Sequence, residues 1–174
     1  MKKNLVLIMA FVALIMQSCM ETRVVNREVE TKEYGKMLLG EQTKSQLSTA
    51  PYKDWYQNGY DSYDTDAATI AALKKEKLAS YNLILFLGTW CSDSKRDVPR
   101  LMKILDEIKY PESKLQIIAV NRKKESPNGE EVKYNVKNVP TIIVERYGKE
   151  VGRIVEHTKT GAVEKDLLEI ISKK

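Results

Sequence analysis

The sequence predicts an α/β fold: a mixed central sheet flanked by helices on both faces, with an N-terminal helical extension. Three observations predict it. Leu83 to Leu87 and Lys114 to Val120 are apolar runs of the kind found in strands buried on both faces. Segments before, between and after them carry apolar residues at helical spacing. Thr141 to Val144 and Glu150 to Val155 flank Tyr147-Gly148 and read as a hairpin.

Each element follows from its residues. Met20 to about Lys36 is polar and has no strong period. Residues 19–36 read as a tether, although Val24 to Val29 can also supply an edge strand. Residues 37–64 read as an extension. Within it Tyr52, Trp55, Tyr56, Tyr60 and Tyr63 fall near helical spacing, but Asn58-Gly59 is a breaker pair. The expectation is a short helix, a turn and an approach segment, with aromatics that either pack on the core or line a groove. The main domain spans residues 65–174. Thr65 or Asp66 suits the N-cap of a helix from Ala67 to Leu78, whose inner face is Ala67, Ile70, Ala71 and Leu73. A longer helix runs from about Cys91 to Ile108, with Leu101, Ile104, Leu105 and Ile108 as its apolar stripe. Pro99 lies inside it and is expected to kink it. Arg122 to Glu130 is a loop that turns at Pro127-Asn128-Gly129. Gly161 to Ile171 closes the chain as a helix, with Val163, Leu167, Leu168 and Ile171 inward.

Composition narrows the function. The chain of 174 residues has room for one domain plus attachments, and its 43% apolar content suits a packed core. Two cysteines and one histidine exclude a disulfide-rich scaffold, a multi-cysteine zinc cluster and a two-histidine metal site. Neither common Gly-rich phosphate loop occurs, so no nucleotide cofactor is expected, nor any other cofactor or metal. The net charge is +5. The one dense basic cluster, Arg122-Lys123-Lys124, is answered by Glu125, Glu130 and Glu131 and reads as a solvated loop. A nucleic-acid partner would want a clustered basic face and is not expected.

The first residues form a separate module. Lys2 and Lys3 precede an apolar run of 12 residues, Leu5 to Met16. A membrane-spanning helix needs about 20 residues, so the run reads as the core of a signal peptide spanning residues 1–18. Gln17-Ser18-Cys19 resembles a bacterial lipobox, with a small residue before the cysteine and apolar residues upstream. It departs from the pattern at Met16 and Gln17, where a Leu and a small residue are usual. Ordinary secretion and an uncleaved anchor are the alternatives. Met16 is too large for ordinary cleavage before Cys19. The lipobox reading implies that Cys19 is lipidated and tethers the chain to the lipid bilayer of a bacterial cell envelope, facing the periplasm. Cys91 is then the lone free thiol, and no internal disulfide can form.

Trp90-Cys91-Ser92-Asp93-Ser94 stands where a buried strand hands over to a helix. The first N–H groups of a helix lack partners, and its dipole favours negative charge there. Both stabilise a thiolate, the nucleophilic form of cysteine. Asp93 opposes that charge or caps the helix in its place, and Lys95 and Arg96 favour it. A packed, inert cysteine is the structural alternative. His157 is either a surface residue at a strand end or, with Glu156, the rim of a substrate groove.

These residues resemble the thioredoxin superfamily. The matching features are the strand before Trp90-Cys91, Pro99 beyond it, and the segment from Lys133 to Thr141, in which Val139-Pro140-Thr141 looks like the family's apolar residue, cis-proline and threonine. Gly88 to Arg96 also looks like a bacterial branch that carries Ser in place of the second cysteine. The resemblance covers about residues 65 to 174. It implies that Cys91 is the nucleophile. It also implies that Pro140, cis after Val139, packs beside the sulfur and offers backbone hydrogen bonds to an extended substrate; Trp90, Val139 and Pro140 are the candidate substrate contacts, joined by His157 if the hairpin brings it to the rim.

The departures are mutually consistent. Ser94 replaces the resolving cysteine, where its hydroxyl can only hydrogen-bond the sulfur. Ser92-Asp93 replaces the usual Gly-Pro, and Leu85 stands where many members hold a buried acid. A dithiol cycle is excluded, whereas a mixed disulfide released by an outside thiol is not. Three readings stay open: a monothiol reductase or isomerase acting on exported disulfide proteins or thiol compounds, a binding module without turnover, and a thiol sensor or capture protein. The lipobox reading has a direct check. The mature protein is expected to begin at Cys19, to carry lipid mass and to partition into detergent. Intact mass and phase separation test this, and a soluble mature chain that begins elsewhere would rule it out.

Overall fold

The computed structural model describes residues 24–173. The signal peptide, Ser18 and Cys19 lie outside the described residues. Six strands form one mixed sheet: β1 (Arg27–Thr31), β2 (Gly35–Gln42), β3 (Asn82–Leu87), β4 (Leu115–Ala119), β5 (Thr141–Arg146) and β6 (Lys149–Val155), in the spatial order β1-β2-β4-β3-β5-β6. β3 and β4 run parallel, and every other pairing is antiparallel. The helices are α1 (Lys53–Asp61), α2 (Ala67–Lys75), α3 (Ser92–Glu107), α4 (Glu130–Lys133) and α5 (Val163–Ser172).

The side-chain alternation of the strands splits the core in two. Leu83, Leu85, Leu87, Ile117, Ala119, Ile142 and Val144 share one cluster with apolar residues of α1, α2, α3 and α5. Leu85 is fully buried there, so its position holds packing and no acid. On the other face Ile84, Phe86, Ile118, Val120 and Ile143 pack with Val136 and Val139, and Trp90, Cys91 and Tyr134 lean against them. The helical cover is therefore uneven. Four longer helices crowd one face, while the four-residue α4 and its flanking loops serve the other. The thin cover leaves Cys91 at a surface.

The expected boundaries hold closely through the main domain. Asp66 caps α2, its carboxylate accepting from the Thr69 N–H at 2.7 Å. Tyr147 and Gly148 both take positive φ, 52° and 72°, as a two-residue hairpin turn with the twist of its strands requires.

Two expectations before residue 65 need correction. Of the two readings of residues 19–36, the described part follows the edge strand rather than the tether, shifted from Val24–Val29 to Arg27–Thr31: β1, the whole turn and the first two residues of β2 lie in residues 27–36, and β2 joins the main sheet through β4. The signal is weak because Arg27-Glu28-Val29-Glu30-Thr31 is an edge strand with little to bury. Second, Asn58-Gly59 does not break a helix, because α1 runs through both. A Cβ on Gly59 would stand 2.6 Å from Pro99 Cγ and 3.6 Å from the Lys95 carbonyl oxygen. Pro99 has no N–H to give the Lys95 carbonyl. Gly59 thus lets α1 close onto the proline turn of α3, and the helix tolerates the glycine in exchange for that contact. Tyr52 and Tyr56 are buried in the same cluster, and Trp55, Tyr60 and Tyr63 pack against it, so these aromatics are core rather than groove.

This contact yields a stability prediction. In an exposed helix Gly→Ala gains about 1 kcal/mol. Here overpacking costs about 1–3 kcal/mol, so Gly59→Ala is expected to lower stability by about 1 kcal/mol in urea unfolding. In a double-mutant cycle Pro99→Ala should relieve the clash, and additive effects would show that the two residues do not press on each other.

Candidate active site

The β3–α3 junction is built around Gly88. The Gly88 carbonyl accepts from the Cys91 N–H at 2.9 Å, and the Gly88 N–H donates to Ser94 Oγ at 3.2 Å. These two bonds fold residues 88–94 into a closed turn. A Cβ on Gly88 would lie 2.6 Å from Trp90 Cε2, so glycine lets the indole lie flat on the backbone. The indole Nε1 donates to the Val120 carbonyl at 3.0 Å, which ties the turn to the end of β4.

Cys91 occupies the N-cap position of α3, half-buried and free. Its Sγ donates to the Val139 carbonyl at 3.2 Å, and the Val139–Pro140 peptide bond is cis. The structure thus brings Trp90, Cys91, Val139 and Pro140 together. From Pro140 the chain enters β5 and returns along β6, so that the Glu156 N–H donates to the Pro140 carbonyl at 2.8 Å. The end of β6 reaches the proline, as the hairpin geometry predicts. His157 follows it, exposed, and its side chain makes no hydrogen bond or ion pair among the described residues.

Ser94 is in the turn, but not as the sequence suggests. It is fully buried and its hydroxyl receives the Gly88 N–H, with no hydrogen bond to the Cys91 sulfur. Asp93 also differs from expectation. It does not cap α3: it accepts from Arg96 Nη1 at 2.8 Å. The same guanidinium grips buried Asp97 through Nε and Nη2 at 2.8 and 2.7 Å and reaches the Glu156 carbonyl at 3.3 Å. The paired Asp97 carboxylate holds the Arg96 proton still more tightly than usual. Arg96 therefore clamps α3 to the end of β6 and neutralises Asp93, so neither residue is a free charge beside the sulfur.

Sequence reasoning missed one wall of the site. The Leu38 N–H of β2 donates to Thr89 Oγ1 at 3.3 Å. Tyr34, in the β1–β2 turn, stacks on the Arg122 guanidinium at 4.3 Å, and Arg122 lies 5.5 Å from the Trp90 ring centre. No local pattern announces a contact among residues 34, 90 and 122. Away from the site, a cavity of 340 Å³ opens near the start of β3 and β4, lined by Asn82, Ile84, Lys114, Gln116 and Glu145 among others. It lies at the opposite end of β3 from Cys91 and contains no thiol. Among the described residues no cluster of His, Cys, Asp and Glu could hold a metal ion.

The Gly88–Trp90 contact can be tested in a Trp55→Phe background, where Trp90 is the sole tryptophan and is excited apart from the tyrosines. Gly88→Ala should push the indole off the backbone, shift its emission to the red and cost about 1–3 kcal/mol of stability. Unchanged emission would show that the ring does not rest on the glycine.

The comparisons with known proteins bear on the same region. No curated protein matches the chain. Among solved structures, a Pseudomonas aeruginosa protein of unknown function is similar at 18% identity and a TM-score of 0.51, over 67% of this chain and 79% of that one. Fasciola hepatica thioredoxin matches at 23% identity and a TM-score of 0.39, over 59% of this chain and 88% of its own. Mitochondrial thioredoxin 3 of Saccharomyces cerevisiae matches at 22% identity and a TM-score of 0.34, over 56% and 86%. The Thioredoxin family model matches residues 65–171, more than half of the chain and the span that holds Cys91, Pro140 and the closing helix, so the chain belongs to the thioredoxin family.

Proposed function

We propose that this chain is a membrane-tethered monothiol thioredoxin-like protein that works through Cys91 on disulfides of exported proteins or thiol compounds. The observation that carries the reading is the Cys91 sulfur at the start of α3, half-exposed and 3.2 Å from the Val139 carbonyl of a cis Val139–Pro140 bond. The attacking form of the residue is the thiolate. The Val139 backbone beside the sulfur is where a substrate strand would find hydrogen bonds, with Trp90 beside it and His157 at the outer rim. The lipobox-like Ser18-Cys19 supports a tether to the bilayer of a bacterial envelope, on the periplasmic side.

In the proposed step the Cys91 thiolate attacks one sulfur of a substrate disulfide. A Cys91–substrate disulfide forms, and the other sulfur leaves as a thiolate and takes a proton from water. The second half needs an external thiol, which attacks the mixed disulfide, frees Cys91 and is itself oxidised. Ser94 cannot do this, because an oxygen at that position is no redox partner and its hydroxyl is engaged with the Gly88 N–H.

Non-reducing electrophoresis after exposure to an exported disulfide protein tests the scheme. Wild type is expected to form a long-lived adduct that external thiol dissolves, and Cys91→Ala none. Ser94→Cys should shorten the adduct lifetime by about tenfold or more, since well-oriented internal thiols reach effective molarities of about 10⁵ M. Absence of an adduct while Cys91 is alkylated readily would leave the binding-module reading in its place.

A further inference from the structure

The cations near Cys91 are not equivalent. Arg96 is consumed by Asp93 and Asp97. On the far side of the indole, Arg122 is exposed and has no carboxylate within ion-pair distance among the described residues. The neighbouring acid Glu125 is turned toward Asn121, whose Nδ2 donates to it at 3.0 Å. Nor is Arg122 a loosely waving chain: its guanidinium carbon lies over both rings, 4.3 Å from the centre of Tyr34 and 5.5 Å from that of Trp90. Such stacking restrains the side chain and leaves its N–H fork free, which suits bidentate capture of a carboxylate at low entropic cost. Tyr34 lies outside the residues that match the family model, in a hairpin that β2 fastens to the active-site turn through Thr89.

We infer that Arg122, held between Tyr34 and Trp90, is a specificity residue that selects disulfides carrying a carboxylate close to the sulfur attacked by Cys91. This rests on the thiol reading above. Asp93 is paired with Arg96, and Glu156, which accepts from the Asn138 amide at 3.1 Å, lies at the end of β6; beside Trp90, Arg122 makes no ion pair among the described residues. A substrate strand laid along Val139-Pro140 with its sulfur at Cys91 would pass beside that indole. A carboxylate there gains an attraction that an exposed site limits to about three- to tenfold in rate.

Two aromatic disulfides serve as probes: dianionic 5,5′-dithiobis(2-nitrobenzoate) and neutral 2,2′-dithiodipyridine. In each case the Cys91 thiolate attacks one probe sulfur: the Cys91–aryl disulfide forms as the probe S–S bond breaks, the other aryl sulfur leaves as a thiolate, and the Cys91 proton passes to solvent or to that leaving group. The readout is the ratio of the anionic to the neutral second-order rate. Arg122→Gln is expected to lower that ratio three- to tenfold, Tyr34→Leu to lower it in part, and raised salt to erase the wild-type preference. Lys124→Gln controls for the general field of the loop. A ratio unmoved by Arg122→Gln, or moved equally by Lys124→Gln, overturns the inference while leaving Cys91 chemistry intact. Failure of both probes to react with Cys91 overturns the thiol reading and this inference with it. Dithiodiglycolate and the disulfide dimer of an Asp-Cys-Asp peptide then distinguish the carboxylate's source. An Arg122-dependent rate with the first points to small thiol compounds, and with the second to acidic segments of exported proteins.

Discussion

The closure of the β3–α3 turn on Gly88 is the constraint on which the site depends. A strand buried on both faces must end, turn and start a helix within a few residues, leaving no backbone donor stranded in the core. Ser94 Oγ solves this by receiving the Gly88 N–H from one turn into α3. The missing Cβ of Gly88 gives the Trp90 ring a seat, and the ring in turn binds the Val120 carbonyl. With both ends fixed, the first residue before the helix is Cys91, aimed at the Val139 carbonyl. The sulfur's position is a consequence of three contacts that do not involve sulfur.

A second layer of contacts braces this turn from elements outside the matched span. β2 reaches Thr89 through the Leu38 N–H, and α1 seats Gly59 on Pro99, at the second turn of α3. Lys44 and Tyr60 both bind Asp106 near the end of the same helix, at 2.5–2.6 Å and 2.9 Å. The extension therefore grips α3 along its length. It does so on the face that the core cluster already buries, and leaves the Cys91 end open.

The parts of this fold legible in the sequence are those whose cause is local. Leu83 to Leu87 reads as a buried strand because its whole run is apolar, and Asp66 reads as a cap because the N–H it accepts from, that of Thr69, lies three residues away. The turn at Tyr147-Gly148 is similarly self-contained. What escaped was set by partners distant in sequence. Gly59 looks like a breaker until Pro99 is placed against it. β1 reads as either a tether or an edge strand, because an edge strand needs few apolar residues. At the site, Trp90, Cys91 and Val139-Pro140 were readable from the family pattern, whereas Asp97, Arg122 and Tyr34 were not. Ser94 was found for the right position and given the wrong partner, since the sequence cannot say which of two nearby groups a hydroxyl will bind.

That last point changes what the serine means. If Ser94 were only a cysteine with its chemistry removed, the position would tolerate any small residue. In the structure the hydroxyl is instead a buried acceptor for a buried N–H, and losing an acceptor of that kind costs about 1–3 kcal/mol. Sulfur accepts hydrogen bonds weakly, so oxygen at residue 94 holds the turn more firmly than a thiol would. Serine at residue 94, which in the proposed scheme leaves the site no internal resolving thiol, thus stiffens the platform that positions Cys91. A stiff platform with one sulfur suits chemistry in which the second thiol arrives from solution, through the side of the site left uncovered by the four longer helices.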